Sequence, residues 1–337
     1  MLRVLYGGSP AASAKTLELI LKDSAMSSSV PSEAYKIVAV LTNPPSAKGR
    51  HKELIPTEVA QYAEIWNRAR GDDIKILTPE HLKEEARNQI SAINPDIFVC
   101  FAYGHILGPK FLSMFKYGVV NLHPSLLPKY RGATPVPAAI LNQDTETGFS
   151  LQKMVLGIDE GDVLYEERMG LTGTETAELL LGKAALFGGI AVTTLLRHVA
   201  KEGELPPSRP QEGEPSYCTT IKKEDGRIKW QDSALQIDAQ IRAYTPWPGC
   251  YTSLNGVQLR ILKAAAASKV ASQDTSITQN TGAVPGTVLS YSKQRGILIQ
   301  TGDGVLLVTE LQWQAKKAMD YKSFMNGTRN FIGSVLD

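Results

Sequence analysis

Two hydrophobic rhythms alternate through the first half of the chain. The apolar runs Leu2-Arg3-Val4-Leu5-Tyr6, Ile37-Val38-Ala39-Val40-Leu41 and Ile74-Lys75-Ile76-Leu77, with a fourth over 96–101, have the length and continuity of buried strands. Between them apolar residues return every three or four positions, as Leu17, Ile20 and Leu21 do within 14–22 and as others do over 56–68 and 79–93. That spacing predicts amphipathic helices. Strands alternating with such helices predict an α/β fold built on a doubly wound, Rossmann-like parallel sheet, with ligands beyond the carboxyl ends of its strands. A helix over 134–141, a strand over 148–155 and a long helix over 174–200 follow.

The rhythm changes after residue 204. The proline-rich stretch 205–215 has no apolar periodicity and reads as a linker. Beyond it come short β-like segments over 259–262, 286–289, 296–300 and 305–308, separated by glycine turns, which predict a small β-barrel. The chain of 337 residues therefore divides as a first domain over 1–204, a linker over 205–215 and a second domain over 216–337. Segments 24–32 and 268–282 read as loops.

Composition narrows this only slightly. Hydrophobic content of 43% and charge of 21% are those of a globular protein. No apolar run reaches about 18 residues, so no membrane span is predicted. The chain passes from Met1 straight into a strand with no leader, and a cytoplasmic monomer is expected. Three scattered cysteines make no disulfide framework, and five histidines show no ligand spacing, so no metal is expected. The segment after residue 205 is mildly basic and the one before it slightly acidic, which permits a polyanionic partner. Lys48, Arg50 and Lys52 crowd one aperiodic loop and are candidates for gripping phosphate.

Gly7-Gly8 follows the first strand, but the full G-x-G-x-x-G is missing and no acidic residue ends the second strand. A dinucleotide site is therefore not predicted, and the glycines are expected to let a ligand approach the backbone. The chemistry gathers elsewhere. A β run, Tyr117-Gly118-Val119-Val120, leads into Asn121-Leu122-His123. Strand alternation puts the Asn121 amide and the His123 imidazole on one face, with Leu122 turned to the core. Pro124 and Pro128 stiffen the ledge Ser125-Leu126-Leu127 between them. Further on, Ile158-Asp159-Glu160-Gly161-Asp162 reads as a turn pinned against the core by Ile158 with one carboxylate aimed inward.

Asn121-Leu122-His123-Pro124-Ser125-Leu126-Leu127-Pro128, with Tyr130-Arg131-Gly132 and Asp159 in its Ile-Asp-Glu-Gly-Asp setting, resembles the folate-dependent formyltransferases. The likeness covers essentially the whole chain. It extends to Gly49-Arg50, to Arg242-Ala243-Tyr244-Thr245-Pro246-Trp247-Pro248-Gly249 and to Ala315-Lys316-Lys317-Ala318-Met319, which look like the branch acting on tRNA. The resemblance implies a formyltransferase domain followed by an OB-like barrel, with 10-formyltetrahydrofolate as donor and methionyl initiator tRNA as acceptor. It places folate against Ser125, Leu126, Leu127 and Pro128 and the backbone around Tyr103, Gly104 and Ile106. It offers Lys222, Lys223, Arg227, Arg242, Lys316 and Lys317 as contacts to the tRNA backbone.

Residue chemistry agrees with that expectation. Moving a formyl group from a folate nitrogen to an amine builds an oxyanion and needs a proton moved between nitrogens. Asn121 and an imidazolium at His123 would hold the oxyanion, while Asp159 would orient His123, raise its pKa and help relay the proton. An amino-sugar nucleotide formyltransferase or a formyltetrahydrofolate hydrolase shares this core and is the alternative. A non-catalytic RNA-binding scaffold would not need all three residues.

Overall fold

The computed structural model of the chain describes residues 1–27, 34–47, 53–270 and 282–337. They separate into two compact units, one of 1–135, 146–169 and 180–219, the other of 136–145, 170–179 and 220–337. The proline-rich stretch 205–215 runs within the first unit, where Arg209 exchanges backbone hydrogen bonds with Val163 at 2.8 and 2.9 Å.

In chain order the first part of the fold is β1 (Leu2–Gly7), α1 (Ala11–Ser27), β2 (Tyr35–Leu41), the short pair β3 (Ser46–Ala47) and β4 (Leu54–Ile55), and α2 (Glu58–Arg70). Then come β5 (Lys75–Leu77), α3 (Glu84–Ile93), β6 (Ile97–Cys100), α4 (Pro109–Leu112), β7 (Val119–His123) and β8 (Arg131–Gly132). They are followed by α5 (Pro135–Leu141), β9 (Glu146–Lys153), β10 (Val163–Gly170), α6 (Ala177–Glu202) and β11 (Tyr217–Cys218). Local signals set several boundaries. Thr57 caps α2 by accepting from Ala60 N at 3.2 Å, and Gly71, at φ 69°, ends it. The loop expected from residue 24 begins later, because α1 continues to Ser27.

Seven strands form one sheet in the order β10-β9-β7-β6-β1-β2-β5. β7, β6, β1, β2 and β5 are mutually parallel, as the strand–helix rhythm requires. The wholly parallel sheet expected from sequence is corrected at β9, which runs antiparallel to β7. The connection through α5 returns the chain at the edge where β7 ends, so β9 must run back. Chain order reverses between β1 and β6, which makes the carboxyl ends of those strands the switch point.

The two faces of β7 are buried differently. Val120 and Leu122 join Leu17, Ile20, Leu195 and Leu196 of α1 and α6. Val119 joins Phe98, Phe111 and Phe115 on the other side. By length and composition alone α6 could cross a membrane. Its buried stripe from Leu180 to Val199 instead packs into the first core, and a Cβ at Gly188 would lie 2.5 Å from Leu122 Cδ1.

The second unit adds α7 (Ala234–Ala243), β12 (Cys250–Leu254), β13 (Val257–Ala266), α8 (Ala267–Val270), β14 (Val288–Ser292), β15 (Gly296–Gln300), β16 (Val305–Trp313), β17 (Met319–Asp320) and α9 (Tyr321–Gly327). Its antiparallel sheet has the order β12-β13-β16-β15-β14, with β17 also on β16. A small OB-like β-barrel was expected; among the described residues an antiparallel sheet is found in which β12 and β14 do not pair, so no barrel closure is seen.

Gly7 and Gly8 do not open the backbone to a ligand. A Cβ on Gly8 would meet Ser13 Oγ at 1.8 Å and the Phe101 carbonyl at 2.4 Å, and one on Gly7 would meet the Phe98 ring at 2.4 Å. These glycines let β1, β6 and α1 close on each other. Gly8→Ala should therefore lower stability by about 1–3 kcal/mol, the usual range for overpacking, read by denaturant unfolding. An unchanged midpoint would show that the β1–α1 turn yields.

Candidate active site

β7 delivers Asn121 and His123 to one face at the carboxyl edge of the sheet. The register places Asn121 between Cys100 of β6 and Gln152 of β9, and His123 opposite Ser150. Asp159 reaches the same place from the turn before β10. His123 Nδ1 lies 3.5 Å from Asp159 Oδ2, and their side chains are 4% and 11% exposed. Gly132 N donates to Asp159 Oδ2 at 2.8 Å, Gln152 Nε2 donates to Oδ1 at 2.6 Å, and Asn121 Nδ2 reaches Oδ1 at 3.5 Å. Asp159 and Tyr130 both adopt left-handed backbone, at φ 53° and 57°. Two left-handed non-glycine residues beside one histidine are backbone strain of the kind that gathers at functional sites.

Ile158 does not pin this turn as expected, since it is 60% exposed. The turn is held by polar bonds. Gln211 Nε2 donates to the carbonyls of Asp159 and Gly161 at 2.7 and 2.8 Å, while its Oε1 accepts from Arg131 Nη2 at 2.7 Å. Ser216 clamps the other side, its carbonyl accepting from Arg131 N and its Oγ from Tyr130 N, while β11 pairs with β8 in parallel. The reading of the sequence missed Gln152, Gln211 and Ser216. Gln211 and Ser216 reach the site from 50 to 86 residues away, and no local pattern announces them. Gln152 gave no signal either, because in the alternation Phe149-Ser150-Leu151-Gln152 it falls on the polar phase and reads as a solvent-facing residue.

His123 faces an acceptor on each side. Its Nε2 donates to the Tyr130 carbonyl at 2.9 Å, so in the neutral ring Nδ1 turns a lone pair toward Asp159. Burial pulls the ring's pKa below its ordinary value, and Asp159 and the Tyr130 carbonyl pull it back only in part. Asp159 raises the pKa as expected, but desolvation of a side chain 4% exposed outweighs it.

The expected folate residues fall in two places. Tyr103 and Gly104 line a cleft of about 470 Å³ with Ser9, Asn43, Thr57 and Ala102, at the carboxyl ends of β1, β2 and β6. Tyr103 stacks on His105 with centroids 4.6 Å apart, and its buried hydroxyl has no partner. His105 Nε2 bonds Asn43 Oδ1 at 2.8 Å. The ledge does not line this cleft. Ser125, Leu127 and Pro128 are buried, Leu126 is half-buried, and Ser150 Oγ ties the ledge down by donating to the Ser125 carbonyl at 2.8 Å. Ile106 is 90% exposed.

Of the expected tRNA contacts, Lys48, Arg50 and Lys52 lie outside the described residues. Lys222, Lys223, Arg227, Lys316 and Lys317 are exposed. Arg242 differs from the surface cation expected. Its side chain is 11% exposed, paired with Asp238 at 3.3 Å, and donates to the Glu175 carbonyl at 2.9 Å. Asp238 also holds Lys269 at 2.6 Å. Among the described residues no group of three or more His, Cys, Asp or Glu is placed to hold a metal.

A Rossmann-like sheet with a His–Asp pair and an amide at one strand end, followed by an antiparallel unit, is consistent with the formyltransferase class, which the family models show. Residues 13–194 match the family described as formyl transferase, and residues 220–329 match the formyl transferase C-terminal domain. The chain belongs to the methionyl-tRNA formyltransferase family. It is 38% identical over 336 residues to the methionyl-tRNA formyltransferase of Treponema denticola, covering 98% of each chain. The corresponding protein of Treponema pallidum is 37% identical over 332 residues, 97% of each. Among solved structures, an N-formyltransferase from Helicobacter canadensis in complex with folinic acid and dTDP-3-aminofucose shares the fold. The TM-score is 0.61 at 20% identity, over 93% of this chain and 100% of that one.

Ring titration by NMR tests the electrostatics. His123 should titrate below the ordinary value of about 6.5, and lower still in Asp159→Asn, because the lost carboxylate no longer favours the imidazolium. A higher value in the variant would refute the assignment. The same shift means that, as pH falls, the unfolded chain takes up this proton first, so the site favours unfolding in acid.

Proposed function

We propose that the chain transfers the formyl group of 10-formyltetrahydrofolate to the α-amino group of methionyl initiator tRNA, in the cytoplasm, for the start of translation. One observation carries the reading. Asn121, His123 and Asp159 meet at the end of β7 in a chain 38% identical to a methionyl-tRNA formyltransferase along 98% of its length.

Folate supplies a formyl group on nitrogen, and the residues of this chain do the rest. The Asn121 amide, only loosely bound at 3.5 Å, is free to donate to the oxyanion that forms as the amine attacks. Neutral His123 takes the proton the amine sheds, since Nδ1 faces Asp159 and gains a charged partner when protonated. The same proton then returns to the departing folate nitrogen as its bond to the formyl carbon breaks. Asp159 fixes the ring and balances its transient charge.

The cleft beside Tyr103 and Gly104 is the proposed folate site, with the rigid ledge at Ser125–Pro128 as its neighbour along the strand ends. The first domain over 1–204 carries the reaction, and the antiparallel unit is proposed as an OB-like barrel serving tRNA. Exposed Lys222, Lys223, Lys316 and Lys317 support that role, and Lys48, Arg50 and Lys52 are proposed to hold the acceptor arm. Such contacts to phosphate position the nucleic acid and weaken with salt.

The test is formyl transfer to methionyl initiator tRNA, with an amino-sugar nucleotide as the competing acceptor. Transfer to the charged tRNA alone, weakening with salt, supports the proposal; transfer to the sugar alone overturns the acceptor. Asn121→Ala or His123→Ala should lower kcat by about 10²–10³-fold. Near wild-type turnover in either would sink the mechanism.

A further inference from the structure

We propose that Gln152 is a positioning residue for this reaction, holding Asp159 so that the Asn121 amide stays free for substrate. The inference rests on the roles assigned above to Asn121, His123 and Asp159.

Gln152 is 1% exposed, on β9, directly across from Asn121 in the strand register. Both amides point to the face that carries Asp159, and both address the same oxygen. Gln152 Nε2 reaches Oδ1 at 2.6 Å, whereas Asn121 Nδ2 stands off at 3.5 Å. A charge-assisted bond of 2.6 Å outcompetes one at 3.5 Å, which is at the edge of bonding. With Gly132 N on Oδ2 at 2.8 Å, each carboxylate oxygen has one short donor. The carboxylate plane is therefore fixed, and Oδ2 faces His123.

The other end of the same side chain strengthens the case. Gln152 Oε1 is buried and has no hydrogen-bond partner. Turning the amide over would set Oε1 against the Asp159 carboxylate, so the orientation is dictated by Asp159. A core position that needed only to be filled would carry an apolar side chain of similar size. Orphaned buried polar atoms of this kind ask for a functional reason, and the grip on Asp159 supplies one.

Without Gln152, Oδ1 has one remaining donor at hand, Asn121. The carboxylate would draw that amide in and turn it from the oxyanion. Removing Gln152 thus disables Asn121 without touching it, and kcat should fall while the binding of either substrate stays the same.

Two variants test this in the full-length enzyme, with thermal unfolding confirming that each is folded. Gln152→Met keeps the volume and loses the donor. It should lower kcat roughly 10- to 100-fold, with KM for folate and for the acceptor within about twofold of wild type. Gln152→Glu sets a carboxyl against Asp159. The titratable groups around that pair are His123 on β7, Cys100 on β6 and Cys218 on β11. Two carboxyls at this separation share a proton, and the protonated glutamic acid can still donate to Oδ1. Gln152→Glu should therefore be most active at low pH, its deficit against wild type growing about tenfold per pH unit once that proton is lost. A profile parallel to wild type would show that the group at this position does not act on Asp159, and Gln152→Met separates the hydrogen bond from packing. Wild-type kcat in Gln152→Met, or parallel profiles in Gln152→Glu, overturns the proposal. If the wild-type enzyme prefers another acceptor, the same ratios are read with that acceptor, so the two failures remain distinct.

Discussion

The site depends on keeping one nearly buried carboxylate charged and still. A carboxylate removed from water is stable only when donors replace the lost hydration, and Asp159 has them from three directions, closely at Gly132 N and Gln152 Nε2 and loosely at Asn121 Nδ2. Each donor belongs to a different part of the chain. The carboxylate is therefore both product and cause of the local fold: it draws the β8 loop, strand β9 and the end of β7 to one point. Its left-handed backbone is the conformational expense of aiming a side chain from a tight turn into that point.

The reversal at β9 belongs to the same logic. A parallel neighbour to β7 would need a full crossover, and its far end would lie at the edge of the sheet where Asn121 and His123 emerge. Running back instead, β9 starts at that edge and lays Ser150 and Gln152 beside His123 and Asn121. Ser150 anchors the ledge and Gln152 anchors Asp159. One antiparallel strand in an otherwise parallel core thus supports both the loop beside the chemistry and the charge within it.

Much of this was legible in the residues. Alternation along β7 is local, so the common face of Asn121 and His123 followed from spacing two apart. Strand and helix rhythm gave the layers, because burial on both faces writes continuous apolar runs. What local pattern cannot carry is strand direction at β9, the open order of the second sheet, and the strap formed by Gln211 and Ser216. All three are settled by contacts between distant segments. Gly8 was misread for a related reason. A glycine before a helix is compatible with a ligand or with close packing, and only the position of the Phe101 carbonyl, 2.4 Å from where its Cβ would stand, decides. Arg242 likewise looked free until Asp238, four residues back on the same helix, proved to hold it.

His123 shows how the environment bears on the proton transfer proposed for it. In the resting site the ring is neutral because burial outweighs Asp159, yet it lies between two acceptors and can satisfy only one. The neutral form is thus imperfectly bonded, and the charged form is perfectly bonded but poorly solvated. Burial tilts the resting ring toward the neutral form, and Asp159 opposes that tilt by favouring the charged one. In the proposed reaction the ring must do both in turn, accepting from the attacking amine and donating to the departing nitrogen. A stronger ion pair with Asp159 would trap the proton, and a drier pocket without Asp159 would refuse it. The 3.5 Å separation, longer than a good hydrogen bond, keeps the pair between those limits until substrate arrives.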